Sequence, residues 1–150
     1  MKCVQCGHKG LKETTTTHEV RIGEHVVRGV LPAEVCPKCK EVYVSGDAME
    51  RMELQVAANI ARSGNVSGDS FRFMRKALGL QAKEMIEVIG TPAETISRWE
   101  KGVRDVDRFA WITLAMMVLD KAEERAPGTR DVVRATMAPK AIPKSIKIVA

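Results

Sequence analysis

The four cysteines of this chain come as two C-x-x-C pairs, Cys3/Cys6 in MKCVQCG and Cys36/Cys39 in VCPKCKE, with 29 residues between them. Three chemistries use such pairs: dithiol redox exchange, disulfide bonding and metal coordination. A C-x-x-C turn closes a relaxed disulfide poorly but aims two thiolates at one ion. Two such turns therefore supply the four sulfurs of a tetrahedral zinc site. Thioredoxin-type motifs occur once, at a helix start behind a strand. Here both pairs fall at strand or turn ends, where Gly7 and Pro37 can shape tight knuckles. The spacing favours one structural zinc per chain, held by Cys3, Cys6, Cys36 and Cys39, over redox chemistry or disulfides. A catalytic zinc would keep one position open for water, and four cysteines fill the sphere. His8, His18 and His25 read as exposed or strand-face histidines rather than ligands. No nucleophile, base and orienting group converge elsewhere, so an enzyme is not expected.

Compartment bears on the same choice. A chain of 150 residues, 45% hydrophobic and 29% charged, has ordinary globular composition and room for one domain or two small ones. Its longest apolar run, Phe109 to Leu119, is too short to span a bilayer and reads as a buried helix. The residues after Met1, among them Lys2, Gln5, His8 and Lys9, form no apolar stretch and offer no cleavage site of the signal-peptide kind. The expectation is a cytoplasmic protein with no membrane partner, where lasting disulfides are rare.

The cysteine pairs need a scaffold between them. Thr14 to Ile22 is rich in β-branched residues, with Val20 and Ile22 on one face and Glu19 and Arg21 on the other. Gly23-Glu24 makes a two-residue turn, and His25 to Val35 returns as the second strand. Pro32 marks an edge or a break, because it cannot donate to a ladder. The pattern is that of a zinc ribbon, which buries too little apolar area to be secure without its metal. Val42 to Val44 can add a short strand. A helix should follow, N-capped by Asp47 with Glu50 closing a capping box, and Met49, Met52, Val56 and Ile60 form its apolar stripe. Ser63-Gly64-Asn65 ends it, and Ser63 to Gly68 reads as a linker at which separation would cost few contacts.

Beyond the linker the sequence reads as short helices. One runs through Phe71 to Leu78 and ends at Gly79, another through Lys83 to Ile89 and ends at Gly90. TPAETISRWEKG follows, with Thr91 as N-cap, Pro92 at the first helical position, Glu94 closing a capping box and Gly102 as the stop. Ile96 and Trp99 point inward while Thr95, Arg98 and Lys101 point outward, which is the helix-turn-helix arrangement. Such a helix fits a DNA major groove. Glu94 is either a capping residue or a base reader, and Glu100 is expected to pair locally before Gly102. From Val106 to Arg125 the chain is apolar almost all round, so part faces a core and the surplus is a candidate dimer face. The alternative is a helix buried within a two-domain monomer.

The net charge of +5 is concentrated at the end of the chain. Residues 127–150 carry Arg130, Arg134, Lys140, Lys144 and Lys147 against Asp131. With Pro127, Gly128, Pro139 and Pro143 this tail is expected to be mostly disordered, as an accessory DNA arm or a solubilising extension. Residues 69–126 are balanced overall, yet Arg98, Lys101, Arg104 and Arg108 gather around the outward-facing helix, enough for phosphate contacts.

ISRWEKG, preceded by FRFMRKALGLQAKEMIEVIG, resembles the Cro/XRE type of helix-turn-helix. Joined to a four-cysteine ribbon in that order, the chain over about residues 1 to 125 resembles the MqsA family of antitoxins, also called YgiT-type zinc finger proteins. The resemblance implies an α+β protein: an N-terminal four-cysteine zinc ribbon with a helix, then an all-α five-helix Cro/XRE-type helix-turn-helix domain. It implies a zinc-binding, toxin-binding domain over 1–66, a DNA-binding and dimerisation domain over 67–126, and the basic tail over 127–150. The implied function is that of a type II antitoxin, which binds its cognate toxin through the zinc domain and double-stranded operator DNA through the second domain, as a homodimer that represses its own operon. Carried over by position, the zinc ligands are the four cysteines. Base contact falls to Glu94 and Arg98 with Thr95 and Ser97 beside them, and Lys101 and Arg104 complete the DNA-contacting set. A stand-alone zinc-containing regulator with no toxin partner is the alternative. Two departures make the operator sequence non-transferable. Gln81-Ala82 stands where many helix-turn-helix proteins have Ser-Gln, and Glu94 stands where Ser or Asn reads bases more generally.

Overall fold

The computed structural model describes residues 1–124 and 128–138. In chain order these form β1 (Lys12–Ile22), β2 (His25–Val35), β3 (Val42–Tyr43), α1 (Gly46–Ser63), α2 (Gly68–Ala77), a 3-10 turn (Ala82–Glu84), α3 (Met85–Ile89), α4 (Ala93–Glu100), α5 (Arg108–Ala122) and α6 (Gly128–Met137). None of these helices is long and apolar enough to cross a membrane.

The β-branched segments pair as one long antiparallel hairpin. Ile22 faces His25 across the Gly23-Glu24 turn, and Gly23 takes the positive φ of 58° that such tight turns require. Alternation then sorts the faces: Val20, Ile22, Leu31 and Ala33 are buried, while Glu19 and Arg28 form a cross-strand ion pair at 2.7 Å on the outside. β3 joins the far side of β2 only at Glu34 and Val35, so the sheet order is β1-β2-β3. Pro32 lies beyond the reach of β3, on an open edge, where a missing N–H costs no ladder bond.

Helix α1 is capped by Ser45, whose Oγ accepts the Ala48 N–H at 3.2 Å, and not by Asp47. β3 ends at Tyr43, so the chain must turn at once and uses the earlier cap. Asp47 falls in the first turn, where its charge still favours the helix dipole. The C-terminus stops at Gly64 in the left-handed region, as the sequence suggested. Met52 and Val56 are buried beneath Val20, Ile22 and Leu31, with Met49 and Ile60 flanking them. Gly29 of β2 lies so close over Met52 that any side chain there would collide with it.

The opposite face of α1 enters a second core. Ala57 and Ala58 are fully buried there among Phe71, Met74, Met85, Ile96, Trp111, Leu114 and Val118. Helix α1 thus packs against β2 on one side and against α2 and α5 on the other, and Arg62 at its end is ion-paired with Glu123 after α5. The sparse contacts expected around residues 63–68 are not found: a turn is there, but the helices on either side of it are packed together.

Within the helical core Phe71 meets Trp99 edge to face, with centroids 5.6 Å apart and planes at 80°. Glu100 does not pair locally. Its carboxylate accepts Arg75 Nε at 2.6 Å and Nη2 at 3.0 Å, while Arg75 Nη1 donates to the Leu80 carbonyl at 2.6 Å. Both side chains are nine-tenths buried or nearly so, and a carboxylate withdrawn from water needs a full charge-assisted partner.

Two further expectations change. The capping box at Thr91 is absent, because Gly90 ends α3 in the left-handed region and Pro92, extended at ψ 147°, becomes the N-cap. Glu94 is then the second helical residue, one short of the box position. A glutamate does reach back elsewhere: Glu84 Oε2 accepts the Gln81 N–H at 2.6 Å. The stretch expected to be disordered from residue 127 contains α6, so the fifth helix after residue 67 lies beyond residue 126. Asp120 Oδ2 accepts the Thr129 N–H at 3.1 Å and holds the first turn of α6, which packs against α5 and α3. Residues 139–150, with Lys140, Lys144 and Lys147, lie outside the described residues.

Candidate metal centre and the exposed face of α4

The two cysteine loops have the same backbone construction. In the first, Cys3 N–H donates to the His8 carbonyl and Gly7 N–H to the Cys3 carbonyl, both at 2.9 Å. In the second, Cys36 N–H donates to Glu41 and Lys40 N–H to Cys36, also at 2.9 Å. The residue four places after the first cysteine is left-handed in each loop, Gly7 at φ 70° and Lys40 at φ 66°. The structural counterpart of Gly7 is therefore Lys40, while Pro37 stands inside the turn of the second loop, as the sequence suggested.

This shared fold brings all four sulfurs within 4.8 Å of one another. Cys3 Sγ lies 3.4 Å from Cys39 Sγ, and Cys6 Sγ 3.6 Å from Cys36 Sγ. Tetrahedral zinc–thiolate bonds of about 2.3 Å would set sulfurs roughly 3.8 Å apart, so the donor set fits such an ion. The cysteines are free thiols, with Cys3 and Cys36 buried, Cys6 half-buried and Cys39 exposed. Among the described residues no other group of three or more histidines, cysteines and acids is placed to hold a metal.

The thiols are strongly differentiated. The Tyr43 hydroxyl, 3.2 Å from Cys3 Sγ, favours the thiolate and brings Cys3 down to about 6 against the opposing effect of burial. The Cys39 backbone N–H lowers Cys36. At Cys39 the Glu41 N–H favours the thiolate, but desolvation and the neighbouring sulfurs outweigh it and push the thiol up to about 12. Cys6 is raised in the same way, with the His8 N–H outweighed by burial and by Cys3 and Cys36. Each loop thus has one sulfur disposed to carry charge and one disposed to keep its proton. A divalent cation removes that conflict by taking all four as thiolates.

The remaining candidate residues sit on and after α4. Ile96 and Trp99 are buried, Thr95 and Ser97 half-buried, and Glu94, Arg98, Lys101 and Arg104 exposed. Arg98 Nη2 donates to Glu94 Oε1 at 2.6 Å, one helical turn apart. After Gly102, at φ 70°, the Val103 and Arg104 N–H groups turn back to the Arg98 carbonyl at 3.0 and 3.3 Å. That turn keeps Lys101 and Arg104 beside the end of α4. On α5, capped by Asp107, Phe109, Ile112 and Met116 are exposed at helical spacing while Trp111, Leu114, Ala115 and Val118 are buried. Sequence reasoning missed Tyr43 at the metal centre and the Arg75–Glu100 clamp behind α4. The one available signal for Arg75 was its place on the Phe71 and Met74 face of α2.

The sequence model of the family described as the antitoxin component of bacterial toxin-antitoxin system, MqsA, matches residues 1–127. The match takes in both cysteine loops, the hairpin and α1 to α5. The chain belongs to this family. No curated protein matches it.

Proposed function

We propose that this MqsA-family chain is the antitoxin of a type II toxin-antitoxin pair, binding its toxin through the cysteine-bearing region and its own operator through α4. The observation that carries the reading is the family match over 1–127 on a chain whose α4 exposes Arg98 and is flanked by Lys101 and Arg104. Cys3, Cys6, Cys36 and Cys39 would hold zinc, since four thiolates suit that ion and leave no position for water. Bound there, zinc supplies structural cross-linking rather than catalysis, joining two loops too small to be stable alone.

Helices α3 and α4, joined through Gly90-Thr91-Pro92, serve in this reading as a Cro/XRE-type helix-turn-helix. Helix α4 is about 12 Å long, a length a major groove accepts. Its inner side is fixed by Ile96, Trp99 and the Arg75–Glu100 clamp, so its outer side approaches DNA as a rigid unit. Arg98 is the base reader, able to donate twice to guanine O6 and N7, and Glu94 can accept from a neighbouring cytosine N4. Thr95 and Ser97 lie beside them, and Lys101 and Arg104 take phosphates. The apolar row Phe109, Ile112 and Met116 is the homodimer face, through which two copies would meet paired half-sites.

The test is a salt titration of the purified chain on the DNA upstream of its own reading frame and on a scrambled duplex, for wild type and Arg98→Ala. Losing a bidentate base contact should weaken upstream binding by about 1 to 3 kcal/mol and scrambled binding far less. Wild-type protein that binds the two duplexes equally would defeat the repressor reading. Failure to neutralise the product of an adjacent toxin-like reading frame would defeat the antitoxin reading.

A further inference from the structure

Tyr43 touches the cysteine site without being part of its donor set. Its hydroxyl is 3.2 Å from Cys3 Sγ and 3.0 Å from the Val4 backbone nitrogen. The direction of both bonds follows from counting hydrogens. Val4 N–H can only donate, so it occupies the phenol oxygen as acceptor, and the single phenol hydrogen is left for the sulfur. A metal-bound thiolate has no hydrogen and can only accept. Cys3 is 2% exposed, so water cannot easily take the place of the phenol.

The topology makes this contact a bridge. Tyr43 belongs to β3, which pairs with Glu34 and Val35 immediately before the second cysteine loop. The first loop closes on itself through the Lys2–Lys9 bridge and the Cys3, Gly7 and Gly10 backbone bonds. Among the described residues, the hydrogen bonds joining residues 1–10 to the rest of the chain run to Tyr43 or between cysteine sulfurs.

We propose that Tyr43 is the positioning residue of the metal centre, its hydroxyl orienting the Cys3 thiolate and docking the first cysteine loop onto the sheet. The proposal rests on the four sulfurs holding a metal and is independent of DNA or toxin binding. Removing such a supporting partner typically costs 10- to 100-fold in metal affinity.

The chain contains a single tyrosine, so growth on a fluorinated tyrosine changes position 43 alone. The full-length protein is loaded with Zn²⁺ for competition against a chelator and with Co²⁺ for absorption spectroscopy. Tyr43→Phe keeps the ring and loses only the hydroxyl. It should lower Zn²⁺ affinity by about 10- to 100-fold and move the sulfur-to-cobalt charge-transfer bands to lower energy, because the thiolate loses a donor. The fluorinated protein, with a more acidic hydroxyl, should move the same bands the opposite way, a graded response that mere packing would not give. Affinity of Tyr43→Phe within about twofold of wild type, unmoved bands, or both proteins shifting in one direction would each overturn the proposal. Wild-type protein that binds neither ion would remove the metal reading itself, a result distinct from any of these.

Discussion

Replacing Glu100 by alanine tests how α4 is held. The substitution leaves the Arg75 guanidinium, 7% exposed, with the Leu80 carbonyl and, among the described residues, no carboxylate. Breaking a buried pair by removing one partner costs about 3 to 5 kcal/mol, because the remaining charge is stranded in a low-dielectric site. A domain of this size is expected to be stable by only about 5 to 15 kcal/mol, and each kcal/mol shifts Tm by roughly 2 to 4 °C. The expected loss is therefore about 6 to 20 °C in Tm. Urea denaturation followed by tryptophan fluorescence reports it directly, since Trp99 and Trp111 are both buried in the core that contains the clamp. The double variant Arg75→Met with Glu100→Leu is the control. It removes both charges and should recover most of the stability, as buried pairs replaced by apolar side chains commonly do. A loss below about 1 kcal/mol for Glu100→Ala, or a double variant no more stable than the single one, would refute the stranded-charge account.

Metal removal should act locally first. Chelation or Cys36→Ser should abolish amide protection in the cysteine loops and β3 while leaving tryptophan fluorescence native; a normal wild-type protein carrying two ions, or none, would contradict the site. Gly7→Ala places a side chain where no heavy atom lies within 4 Å but φ is +70°, so it should cost about 1 to 2 kcal/mol through backbone strain alone. Lys40→Gly relieves the matching strain in the second loop, and chemical denaturation of the loaded protein should show opposite signs for the two changes. If the α5 row is the dimer face of the proposed function, Phe109→Asp should give a monomer in sedimentation at concentrations where the wild type is a dimer. It should lower Tm only by the lost association, a difference that vanishes at low protein concentration; a concentration-independent Tm drop with unchanged mass would mean the row is covered within one chain.

The parts legible in sequence were those encoded by short-range spacing. Two C-x-x-C turns fix where four sulfurs can meet, and the alternation through Val20 and Ile22 with Gly23-Glu24 fixes the hairpin register. The Met52 and Val56 stripe was readable because its residues are large. The other face of α1 was not, because Ala57 and Ala58 carry little hydrophobic signal while being completely buried. Caps slipped at both Asp47 and Thr91 for one reason: where a helix begins depends on where the preceding segment releases the chain. The Arg75–Glu100 pair spans 25 residues, and nothing local in either segment announces it. Pro127 and Pro139 give this stretch a disorder-like composition, yet in the sequence they flank α6, which begins at Gly128.

Helix α1 bears on how chains of this construction can be recombined. A junction after residue 66 would carry Ala57 and Ala58 into a foreign helical core, where their small size must match new neighbours. A junction before Gly46 would instead set a transplanted Val20, Ile22 and Leu31 over a resident Met52 and Val56. Either chimera inherits one mismatched contact surface, whichever half supplies the partner specificity. Where α4 reads the operator, as proposed above, exchange of that specificity between relatives should proceed by substitutions on its exposed residues, with α1 passing from parent to descendant together with both of the surfaces it joins.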